Sequence, residues 1–229
     1  MAVTGRMATM AGHELSNYLS IVLGNAALLK EAFERGKPDE RLLDALILGA
    51  KRGSVICGQF RNLAREPVIE LHRLDLAENV RTTFTMMRRM TRCTILLEET
   101  AAGPLPVQAD DACLDQILVN LVLNAVDATK SGGRVHIRTG RVRPGVRRGW
   151  VYFEVADGGA GIPARIRRRV RELFFTTKAG GRGTGIGLAL ACELIAKLGG
   201  ELLIRSRKGR GATFRVVLPS APADKRMPL

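Results

Sequence analysis

Apolar residues recur at alternating steps of three and four along residues 7–35 and again along residues 43–64. This spacing predicts two amphipathic helices, separated by the break at residues 36–39 and ended by Pro67. Two helices form too thin a layer to bury their own apolar seam. We therefore predict that residues 1–67 form a helical hairpin that pairs with a second copy as a dimeric four-helix bundle. The seam residues of the first helix are Ala11, Leu15, Leu19, Val22, Ala26, Leu29 and Phe33.

After Pro67 the pattern changes to short strands that alternate with helices, which predicts an α/β domain over residues 68–229 and an α+β chain overall. The tail from about residue 220, with two prolines and mixed charge, is predicted to be disordered. The predicted helices cover about 74–90, 110–128 and 186–198, and the predicted strands cover 94–97, 134–139, 150–156, 202–205 and 212–218.

The composition is that of a globular protein, with 46% hydrophobic and 25% charged residues and no apolar run long enough to span a membrane. No secretory signal precedes His13. The scattered cysteines Cys57, Cys93, Cys113 and Cys192 form no CxxC pair and are predicted to be reduced thiols. These features predict a cytoplasmic protein without a membrane span.

The net charge of +14 is concentrated in three basic clusters, at residues 134–148, 165–171 and 205–210. Such clusters indicate either an acidic or anionic partner, such as nucleic acid, a membrane or an acidic protein, or simply solvated loops and strand faces. None of the clusters contains an aromatic residue that would stack on a base. A nucleic-acid partner is therefore the less favoured interpretation.

Glycines occupy every second position from Gly181 to Gly187, immediately before the last predicted helix. A glycine-rich loop at a helix N-terminus favours phosphate binding, because the first N–H groups of the helix are unpaired. The loop lacks the Gly-Lys-Ser/Thr ending of a Walker A motif. A flexible connection is the alternative interpretation.

Asn120 and Asn124 lie one turn apart inside the apolar run of the helix predicted at 110–128. A buried asparagine is costly unless its amide is bonded. The two side chains therefore either supply oxygen ligands for Mg²⁺ or bond neighbouring backbone groups.

Asp157 ends a predicted strand and is followed by three glycines within the next four residues, Gly158, Gly159 and Gly161. A carboxylate in this place can accept a hydrogen bond from the exocyclic amino group of a base that the glycines allow to approach. The alternative is an ordinary Asp-Gly turn.

His13 lies on the polar side of the first helix, next to Glu14 and one turn before Asn17. A neutral imidazole is nucleophilic, and a neighbouring carboxylate can hold the proton of one ring nitrogen while the other attacks. Considered alone, the pattern is better explained by a solvated surface histidine.

The order of these motifs resembles that of the sensor histidine kinases of two-component signalling, over nearly the whole chain. Residues 13–17 (HELSN) resemble the phospho-acceptor box, and DQILVNLVLNAVDA, residues 115–128, resembles the asparagine box. Residues 157–163 (DGGAGIP), 174–177 (FFTT) and 181–188 (GRGTGIGL) resemble the first glycine box, the phenylalanine box and the second glycine box. The resemblance implies a dimerisation hairpin followed by a Bergerat-type α/β sandwich that binds ATP.

The resemblance also implies residue roles. His13 would be phosphorylated, Glu14 would activate it, and Asn17 would support dephosphorylation of the partner. Asn124, with Asn120, would hold Mg²⁺ on the ATP phosphates. The further nucleotide-binding residues implied are Asp157 for the adenine amino group, Gly159 and Gly161 for the pocket, and Thr177, Gly183, Thr184, Gly185, Gly187 and Leu188 for the phosphate side.

The function implied is autophosphorylation of His13 by ATP, followed by transfer to an aspartate of a response regulator receiver domain. A non-catalytic phosphotransfer or docking protein with the same fold is the alternative. The chain departs from the family at Gly158, where asparagine is usual. Only twelve residues precede His13, so we expect either an excised kinase core or input from a separate sensor protein.

Overall fold

The computed structural model contains an N-terminal pair of helices and a larger α/β unit. It describes residues 2–47, 49–50, 53, 69–88, 91, 93–130, 132–143, 145, 147, 149–177 and 185–222.

The first helix, α1 (Ala2–Glu34), ends in a Schellman motif. The Lys37 N–H donates to the Ala32 carbonyl at 2.9 Å, and the Gly36 N–H donates to the Phe33 carbonyl at 3.0 Å. Gly36 has a φ of +67°, the left-handed conformation that this ending requires. The predicted break at residues 36–39 is confirmed.

A second helical segment, α2, covers residues 40–47 and includes 49–50 and 53. It begins at Asp39, whose carboxylate accepts from the Arg41 N–H at 2.9 Å. Gly49 lies against Val22, whereas Gly53 lies against Leu15, so α2 runs back along α1 in the opposite direction. These described residues agree with the predicted hairpin, and its pairing into a four-helix bundle stays a prediction. Its predicted end near Pro67, and Cys57, lie outside the described residues.

The seam predicted on α1 is only partly covered by α2. Leu15, Val22 and Leu29 are half-buried. Leu19 and Phe33, which belong to the same predicted seam, are 51% and 63% exposed. One hairpin therefore leaves part of its apolar surface in contact with water.

The α/β unit is built on a five-stranded sheet with the order β2-β4-β5-β7-β6. Only the β2–β4 pair is parallel among the described strands, and the chain joins these two strands through β3 and helix α4. Strand β7 follows the other strands in sequence but lies between β5 and β6. The bounds are β2 (Thr94–Glu99), β4 (Arg134–Arg141), β5 (Trp150–Asp157), β6 (Glu201–Ser206) and β7 (Ala212–Pro219). All five strands were predicted, each one or two residues shorter.

A second, two-stranded sheet pairs β1 (His72–Asp75) with β3 (Pro106–Ala109). The sequence pattern did not predict either strand. Asp75, at the end of β1, accepts hydrogen bonds from the Ala77 N–H at 3.0 Å and the Leu105 N–H at 2.9 Å. One carboxylate oxygen thus caps the N-terminus of the next helix and holds the loop before β3 in place.

Three helices pack on one face of the five-stranded sheet: α3 (Leu76–Met87), α4 (Asp111–Ala128) and α5 (Gly187–Lys197). Ile117 and Leu121 of α4, Phe153 of β5 and Leu194 of α5 are 0% exposed. Cys93 and Cys113 are buried and free, and Cys192 is free and half-buried, in agreement with the prediction of reduced thiols.

The ordered part of the chain extends slightly beyond the predicted start of the tail. The Ser220 N–H donates to the Gly149 carbonyl, the Ala221 N–H donates to the Pro106 carbonyl, and Ala221 is 7% exposed. Ser220 and Ala221 are therefore held in the fold, in contrast to the prediction; residues 223–229 lie outside the described part. Within the described residues, no helix has the length and apolarity needed to cross a membrane.

Candidate functional site

Asp157 lies at the end of β5, where its carboxylate turns back onto the loop that follows. Its Oδ1 accepts from the Gly159 N–H at 2.8 Å and the Ala212 N–H at 3.3 Å. Burial raises the pKa of the Asp157 carboxyl above its usual value, and the two N–H bonds act in the opposite direction. Because the hydrogen bonds within the described chain go to Oδ1, Oδ2 is left to accept from a ligand amino group.

The glycines after Asp157 are required by close backbone contacts. A Cβ on Gly159 would collide with the Ala128 carbonyl at the end of α4, and one on Gly161 would collide with the Arg207 carbonyl. Gly161 also has a φ of +66°. At Gly158, by contrast, a Cβ would meet no atom within 4 Å. The glycine in place of the usual asparagine therefore leaves open space rather than a changed backbone.

The turn between β6 and β7 braces this loop. The Gly209 N–H donates to the Ala160 carbonyl at 2.7 Å, and the Gly211 N–H donates to the Gly159 carbonyl at 3.0 Å. The Ser206 hydroxyl accepts from the Ile162 N–H and donates to the Gly211 carbonyl, both at 2.7 Å. A Cβ on Gly211, whose φ is +75°, would collide with the Asp157 carbonyl oxygen.

Sequence reasoning missed Ser206 and Gly211 as site residues. Both lie about fifty residues beyond Asp157 in the sequence. They contact the loop around Asp157 only because β7 pairs with β5 and β6 pairs with β7. The signal that was available is the pair of glycines, Gly209 and Gly211, in a short turn between two predicted strands.

Asn120 and Asn124 lie one turn apart on α4, as predicted. Asn120 is 4% exposed, and Asn124 is half-buried. Because α4 ends at Ala128, against Gly159, Asn124 lies one turn from the Asp157 loop. The structure thus brings the asparagine helix and the first glycine box together.

The phenylalanine box and the second glycine box also meet directly. The Phe174 N–H donates to the Gly185 carbonyl at 3.0 Å, and a Cβ on Gly185 would collide with the Phe174 backbone. Phe174 is the one described non-glycine residue with a positive φ, +67°, a conformation that costs energy and is often found at functional sites. The guanidinium of Arg169 lies 4.5 Å from the centre of the Phe175 ring.

Helix α5 begins at Gly187, directly after Ile186, which is 1% exposed. In the described chain, no side chain caps this helix end, whereas Asp75 caps α3 and Asp110 caps α4. Among the described residues, therefore, no side-chain cap competes with an anion for the first N–H groups of α5. Leu188 is half-buried and packs on the core.

Several predicted site residues cannot be placed by their side chains. His13, Glu14 and Asn17 lie on helix α1, but their side chains are outside the described set, as are Gly183 and Thr184. Thr177 is described and exposed. The described residues contain no group of three or more His, Cys, Asp or Glu side chains that could hold a metal ion. The remaining candidate ligands for Mg²⁺ are the amide oxygens of α4.

Residues 109–222 match the family of histidine kinase-, DNA gyrase B-, and HSP90-like ATPases. Over 99% of its length, the chain is 30% identical to the sensor kinase CckA of Brucella abortus (strain 2308), of which it covers 25%. Over 96% of its length, it is 30% identical to the sensor histidine kinase ZraS of Escherichia coli O157:H7, of which it covers 47%. The chain belongs to the sensor histidine kinases. It spans a quarter to a half of the length of these relatives.

Among solved structures, the chain is similar to full-length ShkA, which was crystallised in complex with AMPPNP. The two share 26% sequence identity with a TM-score of 0.62, and the match covers 96% of this chain and 47% of ShkA. The family predicted from the order of the motifs is thus confirmed, together with a mixed α/β catalytic unit built on a five-stranded sheet.

Proposed function

We propose that this chain is an ATP-dependent protein-histidine kinase that phosphorylates itself on His13 and passes the phosphoryl group to an aspartate of a response regulator receiver domain. The observation that carries the proposal is the half-buried Asp157 carboxylate, held on a braced glycine loop against the end of the asparagine helix. This arrangement lies inside a domain of an ATPase family.

ATP would bind with its adenine against Asp157, which accepts from the exocyclic amino group through Oδ2. The carboxylate is already oriented by the Gly159 and Ala212 N–H groups, so little ordering remains when the base arrives. The phosphates would lie toward Asn124 and the uncapped start of α5 at Gly187.

The residues of α4 fit a bound Mg²⁺. Amide oxygens are hard ligands of the kind that Mg²⁺ accepts beside phosphate oxygens and water, and Asn120 and Asn124 present two of them one turn apart. When bound, the ion would neutralise phosphate charge. The protein's own part is to orient the nucleotide and to keep water from the reacting phosphate.

In the transfer step, a ring nitrogen of His13 attacks the γ-phosphorus of ATP. A nitrogen–phosphorus bond forms while the bond to the β–γ bridging oxygen breaks, and ADP leaves. Glu14 would hold the proton on the other ring nitrogen, which keeps the attacking nitrogen unprotonated. Phosphoryl transfer of this kind depends mainly on positioning and on charge neutralisation.

We further propose that residues 1–67 form the dimerisation and phospho-acceptor domain and that residues 68–229 form the catalytic domain. The hairpin would pair with a second copy as a four-helix bundle, which would cover the apolar side chains that one copy leaves exposed. The reaction would take place in the cytoplasm, where ATP is supplied. Asn17 would support dephosphorylation of the response regulator.

Incubation with γ-labelled ATP tests the phosphorylation site. Label should appear on the wild-type chain and be absent from His13→Ala. The chain has three histidines, so His72→Ala and His136→Ala are matched controls that should keep the label. Label on His13→Ala, or no label on the wild type, would contradict the proposal.

Nucleotide binding is tested by the thermal shift with ADP. At an ADP concentration about a hundred times Kd, binding should raise the free energy of unfolding of the wild type by about 2.7 kcal/mol. This corresponds to a rise in Tm of about 5 °C or more. Asp157→Asn should lose this shift, because the amide presents an N–H group toward the adenine amino group. Absence of any shift in the wild type would favour a non-catalytic phosphotransfer or docking protein.

A further inference from the structure

Two of the basic clusters, separated by thirty residues or more in sequence, lie at the same corner of the fold. The segment after the first glycine box holds Arg165 and Arg168, and the β6–β7 turn holds Arg207, Lys208 and Arg210. The Arg167 guanidinium joins them by donating to the Ser206 carbonyl at 2.7 Å. With Arg205 at the end of β6, these exposed cations form what we name the basic patch: Arg165, Arg168, Arg205, Arg207, Lys208 and Arg210.

The charge of the basic patch is not compensated locally. None of its six cations has a carboxylate within 4 Å in the described part of the chain. Residues 158–171 and 202–222 contain no Asp or Glu. The neighbouring arginines behave differently, because Arg167 and Arg171 bond backbone carbonyls of β6, and Arg169 pairs with Glu172. The chain thus uses some arginines of this region for structure and leaves six free to meet a ligand.

The patch is not purely polar. Leu203 is 39% exposed on the outer face of β6, between Arg205 along its own strand and Arg215 across from it on β7. Residues 164–173 and 201–211 contain no aromatic side chain. A nucleic acid would find no ring on which to stack a base, and its phosphates would leave Leu203 uncovered.

We propose that the basic patch docks an acidic segment of a partner protein, with carboxylates on the arginines and an apolar side chain on Leu203. Arginine presents a planar fork of N–H donors that matches a carboxylate, and five of the six cations are arginines. An acidic residue two positions from an apolar residue in an extended bound segment fits the two-residue spacing of Arg205 and Leu203 on the outer face of the strand.

Docking on the patch acts on the nucleotide loop. The turn that carries Arg207, Lys208 and Arg210 is the same turn whose Gly209 and Gly211 bond the loop after Asp157. A partner that shifts this turn therefore shifts the brace on the loop after Asp157, and we expect the acidic segment and ADP to change each other's affinity about fivefold through this linkage. This coupling, unlike the docking itself, rests on the proposed nucleotide site.

Docking is tested with a fluorescein-labelled peptide that is rich in glutamate and contains leucines, titrated with the full chain and followed by anisotropy. The patch variant carries Arg205→Gln, Arg207→Gln, Lys208→Gln and Arg210→Gln. The control variant loses the same charge at exposed residues elsewhere, through Lys37→Gln, Arg41→Gln, Arg134→Gln and Arg143→Gln. The patch variant should bind the peptide about tenfold more weakly, and the control less than about twofold more weakly.

Equal loss in the two variants would overturn the proposal, because it would mean that the peptide responds only to net charge. A peptide with serines in place of the leucines should bind the wild type several-fold more weakly, and equal binding would overturn the role of Leu203. Tighter, patch-dependent binding of a DNA duplex or of phosphatidylglycerol vesicles would overturn the choice of a protein partner.

The coupling is measured as the Kd of ADP with and without saturating peptide. If the peptide binds but leaves the Kd of ADP unchanged, the proposed docking surface is supported and the proposed coupling is wrong. If ADP does not bind in either condition, the proposed nucleotide site fails, while the peptide titration still decides the docking surface.

Discussion

The helical hairpin and the α/β unit differ in how completely they bury their large apolar side chains. In the α/β unit, residues such as Phe153, Ile117 and Leu194 are 0% exposed within one copy of the chain. On the hairpin, Leu23 is 69% exposed and Phe33 is 63% exposed. The α/β unit therefore completes its own core, and the hairpin does not.

This difference explains why the two regions suit different tasks. A fully packed unit holds a carboxylate and a set of N–H groups in fixed positions, which nucleotide recognition requires. A hairpin with exposed apolar side chains suits the proposed pairing with a second copy, and that association would then contribute to its stability. The following predictions test the contrast, beginning with the largest expected effect.

Leu19→Gln should weaken self-association strongly. Leu19 belongs to the predicted seam but is 51% exposed in one copy. About half of each Leu19 side chain remains to be buried in a dimer, which contributes about 1 kcal/mol per copy. Burying a glutamine amide there costs about 1 kcal/mol more per copy, so the dimer Kd should rise about a hundredfold or more. Sedimentation equilibrium measures this change.

The matched control for Leu19 is Leu96→Gln, on an exposed leucine of the sheet that is 39% accessible. It should leave the dimer Kd unchanged, because the α/β unit needs no second copy to cover its core. A wild-type chain that stays monomeric at micromolar concentration would contradict the difference between the two regions.

Gly211→Ala should destabilise the α/β unit by about 3 kcal/mol or more and weaken ADP binding. The new Cβ would collide with the Asp157 carbonyl, in addition to the strain of a φ of +75°. Gly209→Ala isolates the strain, since Gly209 has the same φ of +75° but open space around it. The free energy of unfolding of that variant, measured by urea denaturation, should fall by only about 1 kcal/mol. Equal losses of stability in the two variants would mean that Gly211 does not pack closely on the Asp157 backbone.

His72→Gln should have the smallest effect, at the place where the chain enters the α/β unit. The hydrogen bond to Asp111, at 2.7 Å, and the backbone bond to Glu70 raise the pKa of His72 above 6.5. Protonated His72 thus stabilises the folded state below pH 6.5, and this contribution is lost as the pH rises through the folded-state pKa.

The urea midpoint of the wild type should therefore fall between about pH 6 and about pH 8 by slightly more than that of His72→Gln. Asp110 and Asp111 are the charged groups that face the ring. Asp111→Asn removes the main partner and should flatten the pH dependence in the same way. Parallel pH profiles for all three chains would contradict this assignment.

Much of the fold was predictable because long periodic segments leave little choice. The alternation along β4 and the step of three or four along α1 each match one kind of element. Strands β1 and β3 were missed because each has four residues, too few for a periodicity, and β3 begins at Pro106. Their pairing depends on contacts about thirty residues apart, such as that of Asp75 with Leu105.

The site was predictable only where its residues are close together in sequence. Asp157, Gly159 and Gly161 form one short motif, and the structure places them as one loop. Their brace from Ser206 and Gly211 depends on the strand order, which local patterns do not encode. The left-handed conformation of Phe174 could not be predicted either, because phenylalanine rarely adopts it and the backbone partner of Phe174, Gly185, lies in a different motif.

The position of β7 between β5 and β6 has a consequence for synthesis of the protein. A growing chain on the ribosome presents Asp157 long before Ala212, whose N–H orients the carboxylate, and Gly211, which packs on its backbone. Until β7 inserts between β5 and β6, the sheet is divided and the loop has no brace. Translation that stops before residue 212 therefore yields a product unable to hold nucleotide, however much of the upstream sequence it contains.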